Sequence, residues 1–172
     1  NNIDVKLIRY TMEDNGFREI NDRKQDWSVM WACSNIKSVV YQALGRFQKV
    51  NHWPKTTEIC RKDCLYKHFS MMREQHGPKH FSFVPLSYVL PHELPELQEA
   101  MASNPQRNYI FKPSSSAQGR GIFITNNYNE LSNTKQSAIV SEYIDNPLLL
   151  DGYKFDLRIY VALTSINPLR IY

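Results

Sequence analysis

"IFKPSSSAQGRGIFI", residues 110–124, is the stretch on which the fold class turns. Two short runs of β-forming residues, one ending in Lys112 and one resuming at Ile122, flank a loop of serines, Ala117, Gln118 and two glycines. The pattern reads as strand, loop, strand: a hairpin whose tip can fold down over a ligand. Small residues let backbone N–H groups come close to phosphate oxygens, and Lys112 and Arg120 supply cations. Neither GxxxxGK[ST] nor GxGxxG is present, and the loop leads into a strand, so this is neither a P-loop nor a dinucleotide fingerprint. A mobile polar hairpin without a ligand would look the same.

Further along the chain, "AIVSEYI" (138–144) reads as a strand, and so does "YKFDLRIYVAL" (153–163). In the latter, alternation puts Phe155, Leu157, Ile159, Val161 and Leu163 on one face, expected to be core. Lys154, Asp156, Arg158 and Tyr160 share the other face, which is either solvated or turned towards a charged ligand. "LRIY" (169–172) begins one more strand. Before the hairpin, "FSFVPLSYVLP" (81–91) carries two prolines and reads as an extended edge segment, and "HELPELQEAM" (92–101) as a short helix. A longer helix is expected over 61–75, stopped by "HGP", with Cys64, Leu65, His68, Phe69 and Met72 as its apolar stripe and Lys62 roughly opposite. Nearer the start, "VKLIRY" (5–10), "FREI" (17–20) and "WSVMWA" (27–32) read as strands, and "KVNHWP" (49–54) as a loop. The expected class is α/β or α+β, with a largely antiparallel second half.

The 172 residues are 42% hydrophobic and 22% charged, a globular balance, with a net charge of +4 that weakly favours an acidic partner. No apolar run approaches a membrane span, and no signal peptide opens the chain. The first residue is Asn, so an excerpt of a longer protein is expected. Cys33, Cys60 and Cys64 are read as reduced thiols. Cys60, Cys64 and His68 at i, i+4 and i+8 could suggest zinc, but a buried thiol face is preferred because no fourth ligand fits. No Ser/His/Asp or Cys/His constellation is evident, and no nucleic-acid module or concentrated basic stripe either.

In order along the chain, "VNHWP" (50–54), "RKDCLYKHF" (61–69), "FVPLSYVLP" (83–91), "IFKP" (110–113), "QGRGI" (118–122), "YIDNPLLLDGYKFDLRIYVALTS" (143–165) and "PLRIY" (168–172) resemble the tubulin tyrosine ligase-like enzymes. Within that family the glutamate-adding branch is most similar. The resemblance implies an ATP-grasp architecture: an N-terminal α/β lobe over 1–60, a central lobe over 61–144, and the start of a C-terminal lobe over 145–172. It implies ATP and Mg²⁺, with free glutamate ligated to the acidic tails of tubulin, and no nucleic-acid or membrane partner. A cytoplasmic, cytoskeletal setting follows, with the cilium or basal body as candidate sites.

By the same resemblance, Lys62 and Lys112 reach the nucleotide phosphates. Gln118, Gly119, Arg120 and Gly121 close over them, with Gln118 also near the acceptor chain. Ser141, Glu142, Tyr143 and Ile144 form the hinge along the adenine. Lys154 and Asp156 contact the nucleotide, and Phe155 is counted with them although alternation puts it on the other face. Arg158 meets a substrate carboxylate and, with Lys154, is the candidate catalytic pair. The family's magnesium ligands, an Asp and a later Glu-x-Asn, fall after Tyr172. No metal ligand is therefore expected in this chain, which should be inactive alone. A glycine ligase of the same family, or an inactive microtubule-binding member, are the rival readings.

Overall fold

Tyr109, Phe111 and Pro113 alternate with Ile110 and Lys112, and this alternation governs the part of the molecule that matters most here. In a computed structural model the described residues are 6–20, 26–32 and 36–172. They fall into two compact units, Asn1–Val84 and Pro85–Tyr172. The architecture is mixed α/β, with antiparallel sheets in the second unit.

The first unit contains α1 (Lys6–Asp14), β1 (Val29–Met30), α2 (Ser38–Gln42), β2 (Lys49–Val50), α3 (Thr57–Cys60), α4 (Lys62–His76) and α5 (Pro78–Phe81). Four expectations change here. From Lys6 onward "VKLIRY" is helix, because its half-buried residues, Ile8 and Met12, recur at a helical spacing; Val5 lies outside the described residues. Residues 17–20 are irregular, and of 27–32 only Val29 and Met30 form a strand, paired in parallel with Lys49 and Val50. The start of the expected loop "KVNHWP" is therefore a strand.

Helix α4 matches its expected span and ends where Gly77 takes φ +82°, a left-handed conformation that glycine adopts without strain. Its buried residues are Asp63 and Tyr66, with Phe69 edge-on to Phe83 at 5.2 Å between ring centroids. Arg73 donates hydrogen bonds to the carbonyls of Phe81 and Val84, at 3.1 and 2.9 Å, tying the following segment to the helix. The expected stripe is only partly kept. Leu65, Phe69, Met72 and Cys64 are half-buried, but His68 is exposed and paired with Glu58 at 2.9 Å. Cys60 is exposed too, because Arg61 is extended (φ −82°, ψ 132°) and breaks the helix between Cys60 and Cys64. The buried thiol face is thus reduced to Cys64; Cys33 lies outside the described residues.

The second unit contains β3 (Ser87–Leu90), α6 (Leu94–Ser103), β4 (Tyr109–Pro113), β5 (Phe123–Thr125), α7 (Tyr128–Ser132), β6 (Ala138–Glu142), β7 (Leu149–Leu150), β8 (Tyr153–Lys154), β9 (Leu163–Ile166) and β10 (Leu169–Ile171). Four strands form one antiparallel sheet in the order β3-β6-β4-β5, with β3 at an edge as expected. Residues opposite each other share a face. One face carries Tyr88, Leu90, Tyr109, Phe111, Ala138 and Val140, packed on Leu97 and Met101 of α6 and Leu131 of α7, and this is the core. Phe111 stacks on Phe123 at 4.7 Å between centroids, adding an aromatic pair across β4 and β5.

The largest correction concerns 153–163. Only Tyr153 and Lys154 are strand, in a hairpin with Leu149 and Leu150. Asp151 (φ 50°) and Gly152 (φ 81°) form its two-residue turn, the Asp-Gly signal for such a hairpin. Residues 155–162 are irregular, and Leu157, Ile159 and Val161 are 76, 74 and 69% exposed, so they are not core. A strand requires a neighbour to accept its ladder, and among the described residues none pairs with 155–161. Regular structure resumes at the β9–β10 hairpin, which Ala162 and Tyr172 extend by two backbone hydrogen bonds of 2.8 and 3.0 Å.

Asp63 gives a test of the first unit. Two hydrogen bonds from the Arg61 guanidinium, at 3.1 and 2.6 Å, hold its carboxyl below the usual range, against an opposing effect of burial. A depressed carboxyl contributes stability that is present above its unfolded value and lost as pH falls through the folded one. Asp63→Asn should therefore lower stability at pH 7 by about 1 kcal/mol, discounted for the half-exposed arginine. The gap to wild type should close below about pH 4, in urea unfolding at the two pH values.

Candidate functional site

Lys112 is the fourth residue of a five-residue strand, so the alternation that buries Phe111 in the core turns Lys112 to the opposite face. There it lies half-buried beside Ile110 and across from Ile139, and Ser141 lies across from Ile110. Lys112 and Ser141 therefore share the face turned away from α6 and α7. The Ser141 side chain is buried, its hydroxyl hydrogen-bonds that of Ser87 at 2.8 Å, and its strand is paired on both sides.

Past Lys112 the chain enters the hairpin loop. Its foot is rooted on the end of β6: Ser114 N–H donates to the Ser137 carbonyl at 3.0 Å, and the two hydroxyls are 3.2 Å apart. A cleft of about 300 Å³, lined by Pro113, Ser115, Ser116, Gln136 and Ser137, opens there. Across the tip, the Ser116 hydroxyl donates to the Arg120 carbonyl at 2.7 Å, and the Arg120 guanidinium donates to the Gln118 side-chain oxygen at 3.3 Å. Gln118, Gly119 and Gly121 all have positive φ, at 58, 74 and 70°. Arg120, which lacks a positive φ, stands between left-handed Gly119 and Gly121, and such alternation of hand turns successive N–H groups to one side in the concave form that suits anions. The residues present thus fit a phosphate.

At the far end of β6 lie Glu142 and Tyr143, half-buried, and Ile144, exposed. Glu142 N–H donates to Leu86 and Tyr143 N–H to Asn108, each at 2.9 Å. Arg107 pairs with Glu142 at 2.5 Å, and this hydrogen bond raises the Arg107 pKa further above its ordinary value. Burial, with Glu142 adding to it, pushes the Tyr109 hydroxyl up. The Lys154 ammonium lies 6.0 Å from the centre of the Tyr143 ring, at the outer reach of a cation–π contact.

Several expected site residues are therefore brought together: Lys112 with Ser141 on one face, Gln118 with Arg120, and Tyr143 with Lys154. Asp156 and Arg158 follow Lys154 on the irregular segment and do not form the expected polar strand face, and Phe155, expected on the opposite face, lies on the same segment. Lys62 is half-buried and opens α4 in the first unit. Among the described residues, no group of three or more His, Cys, Asp or Glu could hold a metal ion. The anchors at Arg107, Asn108 and Ser137 escape sequence reasoning, since short polar residues flanking strands carry no periodic signal.

Comparison with known proteins gives a consistent result. A model of the Tubulin-tyrosine ligase family matches residues 40–172. Tubulin polyglutamylase TTLL5 of Homo sapiens is 40% identical over 169 residues, 98% of this chain and 13% of its own length. Tubulin polyglutamylase TTLL13 of Homo sapiens is 37% identical over 99% of this chain and 21% of its own length. Tubulin monoglutamylase TTLL4 of Homo sapiens is 37% identical over 96% of this chain and 14% of its own length. The chain thus spans about a fifth or less of the curated relatives it matches.

The two loop glycines differ in a way that can be measured. A Cβ on Gly119 would meet nothing within 4 Å, whereas one on Gly121 would lie 3.1 Å from Pro113 Cγ. Gly119→Ala should cost about 1 kcal/mol from its left-handed backbone alone, and Gly121→Ala about 2 kcal/mol. Urea unfolding midpoints would show this order, and equal losses would mean that Pro113 yields freely.

Proposed function

Because this chain belongs to the tubulin-tyrosine ligase family, we propose that the protein to which it belongs is an ATP-dependent ligase that adds glutamate to glutamate side chains in the acidic tails of tubulin. The observation that carries this reading is the placement of Lys112 on the sheet face away from the core, with the Gln118–Arg120 tip after it and the 141–144 segment at the end of the neighbouring strand. That is the layout an ATP-grasp site requires: cations and a closing loop towards the phosphates, backbone along the base. In this reading residues 1–60 are an N-terminal lobe, residues 61–144 supply the central lobe and 145–172 begin the C-terminal one. Ser141, Glu142, Tyr143 and Ile144 follow the adenine, while Lys62, Lys112, Gln118, Gly119, Arg120 and Gly121 surround the phosphates. Lys154, Phe155 and Asp156 complete the nucleotide contacts, and Arg158 receives a substrate carboxylate.

The chemistry is amide formation in two displacements. A carboxylate oxygen of the acceptor glutamate attacks the γ-phosphorus, the bond to the bridging oxygen breaks, and ADP leaves with an acyl phosphate formed. The amine of free glutamate, losing a proton, then attacks the acyl carbon and expels inorganic phosphate. No nucleophilic side chain is needed. What the chain's residues contribute is alignment and neutralisation of charge developing on the phosphoryl oxygens. Mg²⁺ would share that neutralisation, and the described residues offer no ligand set for it. The net charge of +4 suits an acidic partner. No helix among the described residues is long and apolar enough to cross a membrane, and a cytoskeletal setting, including the cilium or basal body, fits the substrate.

The test is glutamate incorporation into tubulin by the full-length protein. Lys112→Ala should lower kcat about a hundredfold or more at saturating ATP, with the melting temperature unchanged, in line with the loss of a preorganised charge. Full activity in that variant would remove Lys112 from the site. Glycine outcompeting glutamate would reassign the enzyme to glycine ligation, and incorporation of neither would favour an inactive microtubule-binding protein.

A further inference from the structure

Strands β4 and β6 run in register as far as the pair Tyr109 and Glu142, and residues 143–148 have no strand of their own. The bonding nevertheless continues past that pair. Asn108 accepts from the Tyr143 N–H at 2.9 Å and donates its side-chain amide to Asp145 at 3.1 Å, and Arg107 pairs with Glu142 at 2.5 Å. From the β3 side, the Leu86 carbonyl accepts the Glu142 N–H at 2.9 Å. Residues 142, 143 and 145 are thus each tied down, and the exposed Ile144 lies between anchored neighbours.

We propose that Arg107 and Asn108, with Asp145, form a clamp that sets the adenine hinge and are positioning residues for nucleotide binding. The proposal rests on reading Ser141, Glu142, Tyr143 and Ile144 as that hinge. A base recognised by backbone groups needs a peptide held at a fixed angle, and the Ile144 side chain, lying in solvent, cannot hold it. Two flanking anchors can. The clamp also grips from the correct side. Glu142 shares the core face with Tyr109 and Val140, so the Arg107 pair lies behind the sheet and leaves the face of Lys112 and Ser141 clear. Stability alone explains the arrangement poorly, because Arg107 is exposed and ion pairs at such a surface contribute little. What three bonds converging on four consecutive residues supply is direction.

The experiment uses the full-length enzyme with ATP, glutamate and tubulin varied separately. Arg107→Ala and Asn108→Ala should each raise KM for ATP about tenfold, while kcat and the KM for glutamate stay within about twofold. Arg107→Lys, which keeps the charge, should restore most of the affinity, and Asp145→Ala should match Asn108→Ala without adding to it in the double variant. The hinge reading is checked independently by photolabelling wild type with 2-azido-ATP and mapping the labelled peptide. Label on 141–144 with an unchanged ATP KM in Arg107→Ala and Asn108→Ala overturns the clamp and leaves the hinge standing. Label elsewhere overturns the hinge, and the clamp with it. Parallel losses in kcat and in the KM for all three substrates would show a merely structural role.

Discussion

Strand β6 is hydrogen-bonded on both sides, four residues pairing with β3 and five with β4, and the second unit is arranged around that double pairing. Because strand side chains alternate, its register decides both faces at once. Ala138 and Val140 enter the core, while Ile139 and Ser141 turn to the other side with Lys112 opposite Ile139. A slip of one residue would send Lys112 into the hydrophobic cluster and Phe111 out of it, at the combined loss of a buried aromatic and an unpaired buried cation. The register is pinned at both ends of the strand. Ser137 holds the foot of the loop, and Glu142 and Tyr143 are held by the 107–108 turn. The loop and the segment that follows Glu142 are therefore spaced by one five-residue strand, about 17 Å of extended backbone.

What could be read in advance follows from this. The strands at 109–113 and 138–142 and the helices at 62–76 and 94–103 carry their own signals: short runs of β-forming residues between polar breaks, and helical spacing, closed at 62–76 by Gly77. The sequence 153–163 carries a strong alternation too, and it misleads. Alternation states which face each residue would take if a strand formed, but the strand forms only where a neighbour completes its hydrogen bonds. Residues 155–161 have no such neighbour among those described, and Lys154 keeps its place over Tyr143. The Asp151–Gly152 turn was the legible sign that the chain reverses there. "VKLIRY" misleads for the opposite reason, since six residues fit a period of two or of 3.6 nearly as well, and Ile8 with Met12 settles it only when the window extends past Tyr10.

Around α4 the legible and illegible parts meet in one turn. A buried aspartate runs against a periodicity count, which puts the stripe through Cys64, Leu65, His68, Phe69 and Met72 and leaves Asp63 out of it. Arg61 changes the sum: two guanidinium hydrogen bonds and the start of a helix, where a negative charge is favoured, let Asp63 be buried as an anion. The same extended Arg61 takes Cys60 off the helix. Spacing arguments for a Cys, Cys, His face assume an unbroken helix, and one residue at φ −82°, ψ 132° removes the assumption.

The loop after Lys112 is fastened firmly at its base and strained at its tip. Ser114 and Ser137 fasten the foot by a backbone bond and a hydroxyl contact, and Pro113 packs 3.1 Å from where a Gly121 side chain would begin. The tip has less to hold it. Gln118 sits at φ 58°, which costs a non-glycine residue roughly 1–2 kcal/mol. Its visible compensation is an exposed 3.3 Å hydrogen bond from Arg120, worth at most about 1 kcal/mol. The Ser116 hydroxyl on the Arg120 carbonyl at 2.7 Å, and backbone bonds from Arg120 to Ala117 and from Ile122 to Gly119 at 3.3 Å each, also hold the tip, so the strain at Gln118 is met by the turn as a whole. The left-handed glutamine between the serine run and Gly119 is therefore carried by the turn around it, and the direction in which that turn projects is set by the foot fastened to β6.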